Sequence, residues 1–156
     1  MKSIPKFVIS LTLCFGAGFI GSIFTKMSVN TWYLSLLKPH LSPPNWIFAP
    51  VWNFIYLLLA IAFYKIWTSE FLEEQKRARQ IFCVQLFLNV VWSAVFFGLR
   101  SPYLGFLVII LLLVTIVWTI VYFRRISRQT SYLLYPYLAW VCFACYLNYS
   151  LWILNY

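Results

Sequence analysis

Long uncharged stretches alternate with short charged connections along this chain. Five of the stretches approach the length of about 20 helical residues that spans a hydrocarbon core of about 30 Å. They run over 7–25, 45–64, 80–99, 101–123 and 132–154. Hydrocarbon supplies no hydrogen bonds to a backbone, so each spanning segment must satisfy its own amides, as a helix does. The runs are continuously apolar and lack the alternation of a membrane β-barrel. The pattern predicts an all-α membrane protein, a five-transmembrane-helix bundle forming one domain over residues 1–156. The first stretch resembles a signal peptide, with Lys2 and Lys6 before it, but no small-residue cleavage site ends it. It is therefore read as a retained span.

The connections are short except for the first. Residues 26–45, KMSVNTWYLSLLKPHLSPPN, mix Trp32, Tyr33 and leucines with Pro39, Pro43 and Pro44. A flexible tether would be polar and rich in Gly and Ser. This segment is predicted instead to be a partly ordered lid over one end of the bundle, its prolines limiting its freedom. Loop 68–79, TSEFLEEQKRAR, reads as a solvated connection.

Composition sharpens the picture and removes whole classes of chemistry. The 156 residues are 63% hydrophobic, 22% aromatic and 10% charged, with a mean hydropathy of +0.84, whereas soluble domains carry about 25% charged residues. Twelve Lys and Arg stand against three acids, a net charge of +9. The clustering of these charges between apolar runs indicates a lipid bilayer as the partner and not a nucleic acid. Glu70, Glu73 and Glu74 share one loop and His40 is the sole histidine. Carboxylate-pair hydrolysis, a Ser-His-Asp triad and a carboxylate-held cation site all lack their parts, and no metal site is expected. Lys2, Lys6, Lys65, Lys76, Arg77, Arg79, Arg124, Arg125 and Arg128 fall on one side, and Lys26, Lys38 and Arg100 on the other. The positive-inside rule then predicts a multi-pass protein of a bacterial cell membrane with a cytoplasmic N-terminus.

Polar residues within the spans are the next signal, because each must find a partner or face a cavity. Gln85, Asn89 and Ser93 recur at steps of four; so do Trp140, Ala144, Asn148 and Trp152, while Trp52, Asn53, Tyr56 and Ala60 form a third such face. Taken singly, the amides have a plain reading as interhelical hydrogen-bond glue, worth about 0.6 kcal/mol each. Three aromatic-plus-amide faces beneath a Pro-rich lid also suggest a pocket for a flat, mostly apolar ligand. Trp46, Trp67, Trp118 and Trp152 fall near span ends, where an interfacial belt explains them. Trp52, Trp92 and Trp140 lie deeper. Cys14, Cys83, Cys142 and Cys145 all lie in spans; Cys142 and Cys145 have CxxC spacing, but no nearby basic residue lowers a thiol pKa and there is no loop dithiol to exchange with. They read as small buried hydrophobes. In the first span, Cys14, Gly18 and Ser22, with Ala17 and Gly21, make small-residue faces that allow close helix approach.

Three blocks carry a family resemblance. The first comprises Trp32, Tyr33, Lys38, Pro39, Pro43, Pro44, Trp46 to Phe48, Pro50 to Trp52, and Tyr56; the second Gln85, Asn89, Trp92, Ser93, Phe96 and Phe97; the third the run PYLAW ending at Trp140, then Phe143, Ala144, Leu147, Asn148 and Trp152. In this order they resemble the translocator protein family, also called tryptophan-rich sensory proteins or peripheral benzodiazepine receptors. The resemblance implies a five-helix membrane protein, commonly a homodimer, that binds porphyrins such as protoporphyrin IX and haem, and isoquinoline and benzodiazepine drugs. No cofactor is required. Position by position it implies that Trp52 and Trp140 contact porphyrin and take part in its light-dependent breakdown, that Ala144 tunes affinity, and that Asn148, Tyr33, Asn89 and Phe96 complete the pocket wall. The family's sterol motif ends span 5 in a basic residue; here the tail reads LNYSLWILNY, which speaks against sterol recognition of that kind.

The expected function is that of a membrane receptor or sensor, with no thermal catalytic group in the chain. The ligand's carboxylates are expected at a rim formed by Lys38 and His40, since propionates are costly in hydrocarbon. The alternatives are a transporter of porphyrin or another small hydrophobe and, more remotely, a disulfide oxidoreductase using Cys142 and Cys145.

Overall fold

A computed structural model describes residues 3–156; Lys2, counted above on the basic side, lies outside them. Helix α1 covers Ser3–Ser28, α2 Trp32–Ser35, α3 Phe48–Trp67, α4 Leu72–Ser93, α5 Pro102–Ile126, α6 Arg128–Tyr132 and α7 Tyr135–Asn155. A 3-10 turn, Asn45–Ile47, leads into α3, and a π turn, Ala94–Gly98, extends α4. Five of the helical stretches are long and apolar enough to cross a membrane, so the chain is a five-helix membrane bundle.

Local sequence sets the helix boundaries. Pro102 occupies the first turn of α5, where its missing N–H costs nothing, and the Ser101 hydroxyl accepts from the Leu104 N–H at 3.2 Å. Ser127 caps α6 in the same way, accepting from Thr130 N–H. At the C-terminus of α3, Lys6 of α1 donates to the Trp67 carbonyl at 3.2 Å, a cation placed at the negative end of a helix.

The solvated reading of 68–79 needs correction. From Leu72 onward this segment is the first two turns of α4. Glu73 and Glu74 suit the positive end of a helix, the Gln, Lys, Arg and Ala that follow are strong helix formers, and Gln75 and Ala78 are buried. A charged loop and a charged helical extension have the same composition, and only the latter gives Ala78 something to pack against.

Helix α1 packs on α3 and α4, α4 on α5, and α5 on α7. The core between them is built from Ile55, Leu59, Ile66, Phe82, Leu112 and Phe123, with Phe82 stacked on Phe123 at 5.9 Å and tilted against Phe63 at 4.7 Å. Helices α3 and α7 close the ring differently. They meet through side chains, Trp52 with Trp140 at 6.5 Å and Phe48 with Trp140 at 6.0 Å, while α6 touches α3 at the opposite end.

The lid is tied down at several points. Tyr33 is buried against Phe48, Phe96 and Phe97, and Trp32 meets Phe96 edge-on at 5.6 Å. Asn155, at the end of α7, brackets Leu37: its Oδ1 accepts from Leu37 N–H at 2.9 Å and its Nδ2 donates to Leu37 O at 3.0 Å. Burial raises the Tyr33 hydroxyl pKa above its ordinary value.

Gly105 lets α5 approach the lid end of α4. A Cβ there would lie 2.9 Å from Phe96 Cδ2 and 3.1 Å from Asn148 Oδ1. Gly105→Ala should therefore destabilise the bundle by about 1–3 kcal/mol through overpacking, whereas Gly16→Ala, with nothing near its Cβ, should be neutral or stabilising. Thermal melts in detergent check both; equal melting of the two variants would contradict this reading.

Candidate ligand cavity

A cavity of about 830 Å³ lies between α1, α3, α4 and α7, under the lid. Its size falls in the range of small-molecule sites, about 300–1,000 Å³. One wall is Phe15, Gly18 and Ser22 of α1; facing it are Trp52 and Tyr56 of α3, Asn89 and Trp92 of α4, and Trp140 and Ala144 of α7.

Trp52 is the hub of the aromatic wall. It stacks on Tyr56 at 5.6 Å and 25°, tilts against Trp92 at 6.4 Å, and meets Trp140 and Tyr137 edge-on. The position of Tyr56 depends on Gly18, because a Cβ on that residue would fall 2.6 Å from the ring.

Beside Tyr56 a buried polar chain crosses three helices. Tyr56 donates to Asn89 Oδ1 at 2.7 Å, Asn89 Nδ2 donates to the Tyr137 hydroxyl at 3.1 Å, and Tyr137 donates to Gln85 Oε1 at 2.8 Å. A second chain holds Asn148: Trp92 Nε1 donates to its Oδ1 at 2.9 Å, and its Nδ2 donates to the Pro102 carbonyl at 2.6 Å. The indole N–H of Trp140, by contrast, is buried without a partner. It is the polar group on this wall that an acceptor on a ligand would satisfy.

The structure brings four of the residues expected from sequence onto the cavity surface: Trp52, Asn89, Trp140 and Ala144. Three others stand behind it. Tyr33 and Phe96 form a buried aromatic cluster joining lid to α4, and Asn148 is occupied between Trp92 and Pro102. The two rim residues lie elsewhere. The Lys38 ammonium donates to the Leu34 and Leu36 carbonyls and sits 4.8 Å from the Tyr33 ring centre, where partial burial lowers its pKa. His40 is exposed and, like Lys38, does not line the cavity. The basic residue that does line it is Lys26, near the end of α1.

Lys26 stood out from the sequence only as one of three basic residues on its side of the membrane. The signal was present in the small-residue faces of α1. Cys14, Ala17 and Gly21 are buried against the bundle, and Gly21 also borders the cavity, together with Gly18, Ser22, Thr25 and Lys26 along the adjoining face. Among the described residues no cluster of His, Cys, Asp or Glu could hold a metal ion.

The Tyr56–Asn89–Tyr137 chain gives a test of its own. Asn89→Leu leaves the buried Tyr56 hydroxyl unpaired and should cost about 1–3 kcal/mol, while Asn89→Leu combined with Tyr56→Phe removes both partners and should recover much of that loss. Thermal melts of the two single variants and the double variant measure it; strictly additive losses would contradict the chain.

With the cavity defined, the relatives can be set beside it. The chain matches the TspO/MBR family over residues 10–153. The tryptophan-rich protein TspO of Archaeoglobus fulgidus is 42% identical over 153 residues, covering 98% of this chain and 99% of that one. The human translocator protein is 36% identical over 138 residues, 86% of this chain and 80% of its own. The tryptophan-rich sensory protein of Cereibacter sphaeroides is 27% identical over 146 residues, 94% and 90% of the two chains. The same length of apolar helix and the same family extend over nearly the whole sequence, and this integral, multi-pass membrane protein belongs to the TspO/MBR family.

Proposed function

We propose that the protein is a membrane receptor of the sensory type that binds porphyrins, protoporphyrin IX or haem, and other flat apolar ligands in the cavity beneath the lid. The observation that carries this reading is the wall itself: Trp52 and Trp140 cross at 87°, and the Trp140 N–H beside them has no protein partner. Rings at that angle offer a flat ligand one face and one edge, and a free indole donor fixes which way round it lies.

Lys26 supplies the complementary charge. A porphyrin's propionates belong near the lid end, where water and a cation reduce the cost of burying charge. Lys38, spent on two carbonyls and a ring, is less available than Lys26. This revises the rim expected from sequence while keeping the ligand's orientation.

Any breakdown of the porphyrin is then photochemical. The excited ligand and dioxygen supply the oxidation, and Trp52 and Trp140 are the adjacent electron donors. No acid–base pair in the cavity offers a thermal route. We further propose that the protein resides in a bacterial cell membrane with its N-terminus cytoplasmic; the support is that Lys6, Lys65, Arg79, Arg124, Arg125 and Arg128 gather at the end away from the lid.

Titration of the purified protein with protoporphyrin IX, in darkness and then in light, tests the reading. Replacing Trp52 and Trp140 together with Phe should weaken binding about tenfold or more and slow photobleaching of the bound ligand; unchanged binding and photochemistry would remove the proposal. Lys26→Gln should weaken binding of the dicarboxylate about two- to fivefold at low salt and leave the dimethyl ester unaffected, whereas an equal effect on both would assign Lys26 a different role.

A further inference from the structure

At the end of the bundle away from the lid, two cations from different helices converge on one indole. Lys6 of α1 lies 5.6 Å from the centre of the Trp67 ring, and the Arg79 guanidinium of α4 lies 5.4 Å from it. Lys6 has a partner in the Trp67 carbonyl. Arg79 does not: its Nε is buried with nothing to donate to. A guanidinium with an unpaired buried N–H beside a second cation lacks an anion.

Arg79 also borders a groove of about 480 Å³ on the outer surface of α4. Lys76, Arg79, Gln80, Cys83 and Val84 line it from α4, at the spacing of a single helix face, and Phe63 lines it from α3. The groove is cationic at its outer end and apolar further in, where exposed Cys83 and Val84 flank the buried Phe63 ring. Phe63 in turn packs on Trp67 at 5.7 Å, so groove and cation cluster form one continuous surface. Glu73 stands one turn before Lys76, further toward the start of α4, and offsets Lys76 in part; Arg79, a turn deeper, is left as the inner cation.

We propose that this groove is a binding site for an anionic phospholipid, distinct from the ligand cavity and independent of what that cavity binds. The phosphate sits between Lys76 and the Arg79 guanidinium, with Lys6 adding positive field across Trp67. One acyl chain lies inward along Cys83 and Val84 over Phe63. Charge complementarity selects the occupant: the mouth is basic, the walls are apolar, and the helix places the mouth at headgroup depth and the walls in hydrocarbon. A free phosphate would satisfy the mouth alone, and a zwitterionic lipid would bring its own cation to a site that already has three, Lys6, Lys76 and Arg79.

The full-length protein in detergent, exposed to equal amounts of phosphatidylglycerol and phosphatidylcholine with identical chains, should retain one phosphatidylglycerol with about five- to tenfold preference by native mass spectrometry. Arg79→Gln should bring the two lipids close to parity. Val84→Trp, which fills the groove and leaves every charge in place, should reduce retention of phosphatidylglycerol as well, and decides the matter if the Arg79 variant does not fold. Arg124→Gln combined with Arg125→Gln, a larger charge loss at the same membrane face, should leave the preference intact. The proposal is overturned by absence of headgroup preference, by equal losses in the Arg79 and Arg124/Arg125 variants, by undiminished retention in Val84→Trp, or by displacement of the lipid with millimolar inorganic phosphate.

Discussion

Asn89 holds two tyrosine hydroxyls from two other helices, accepting from Tyr56 of α3 and donating to Tyr137 of α7. In a chain surrounded by hydrocarbon this demand for partners is stricter than any packing preference, because a lone buried amide or phenol has no water to turn to. The three helices are therefore pinned at one depth. Below that depth Phe63, Phe82 and Phe123 fill the interior; above it α3 and α7 are joined by rings alone. The cavity is the space that this arrangement leaves between the pinned level and the lid, and its floor is polar because the pin itself is polar.

The lid end depends on a departure from regular helix. In the π turn the Leu99 N–H bonds back to the Ala94 carbonyl at 2.9 Å, and the widened turn carries Phe96 and Phe97, which meet edge-on at 4.8 Å, to the lid. π turns recur at functional sites, and here the reason is visible. Phe96 is held by Trp92 on one side and by Trp32 and Tyr33 of the lid on the other, so the helix that lines the cavity also anchors its cover. The Ser28 hydroxyl donates to the Phe97 carbonyl at 2.6 Å, securing the widened turn from α1.

The five spans were legible because membrane helices advertise themselves by length and hydropathy, and the lid by its mixture of prolines and aromatics. The amide faces were legible too: Gln85, Asn89 and Ser93 share one side of α4 and are buried. Two kinds of information were not. Which amide serves the fold and which faces the cavity depends on partners remote in sequence, as Asn148 demonstrates by spanning Trp92 and Pro102. Where a long side chain points is equally remote from composition. Lys38 sits on a loop that covers the cavity, yet its ammonium turns to the Leu34 and Leu36 carbonyls at the end of α2, while Lys26, near the end of a spanning helix and marked only by the small-residue face that leads to it, reaches the cavity wall. The start of α4 was hidden for a related reason, since charged helix formers look the same in a loop until something buries Ala78.

The three deep tryptophans show how one residue type divides between structure and recognition. Each brings the same large apolar surface, so each packs well, and sequence gives them equal standing. What separates them is the fate of the indole N–H. Trp92 donates to Asn148, an acceptor fixed in turn by the Pro102 carbonyl, so its N–H is consumed by the link between α4, α5 and α7. Trp140 is buried as effectively by Phe48, Trp52 and Phe143, but none of these neighbours carries an acceptor, because all are aromatic. An aromatic cage around a donor buries it without satisfying it, and such a donor costs stability until an acceptor enters. Trp140 Nε1 is one of four buried side-chain atoms left without a partner among the described residues, with Ser42 Oγ, Arg79 Nε and Gln85 Nε2, and the difference between Trp92 and Trp140 is the difference between a donor that ties three helices together and one left unpaired in a ring that borders the cavity.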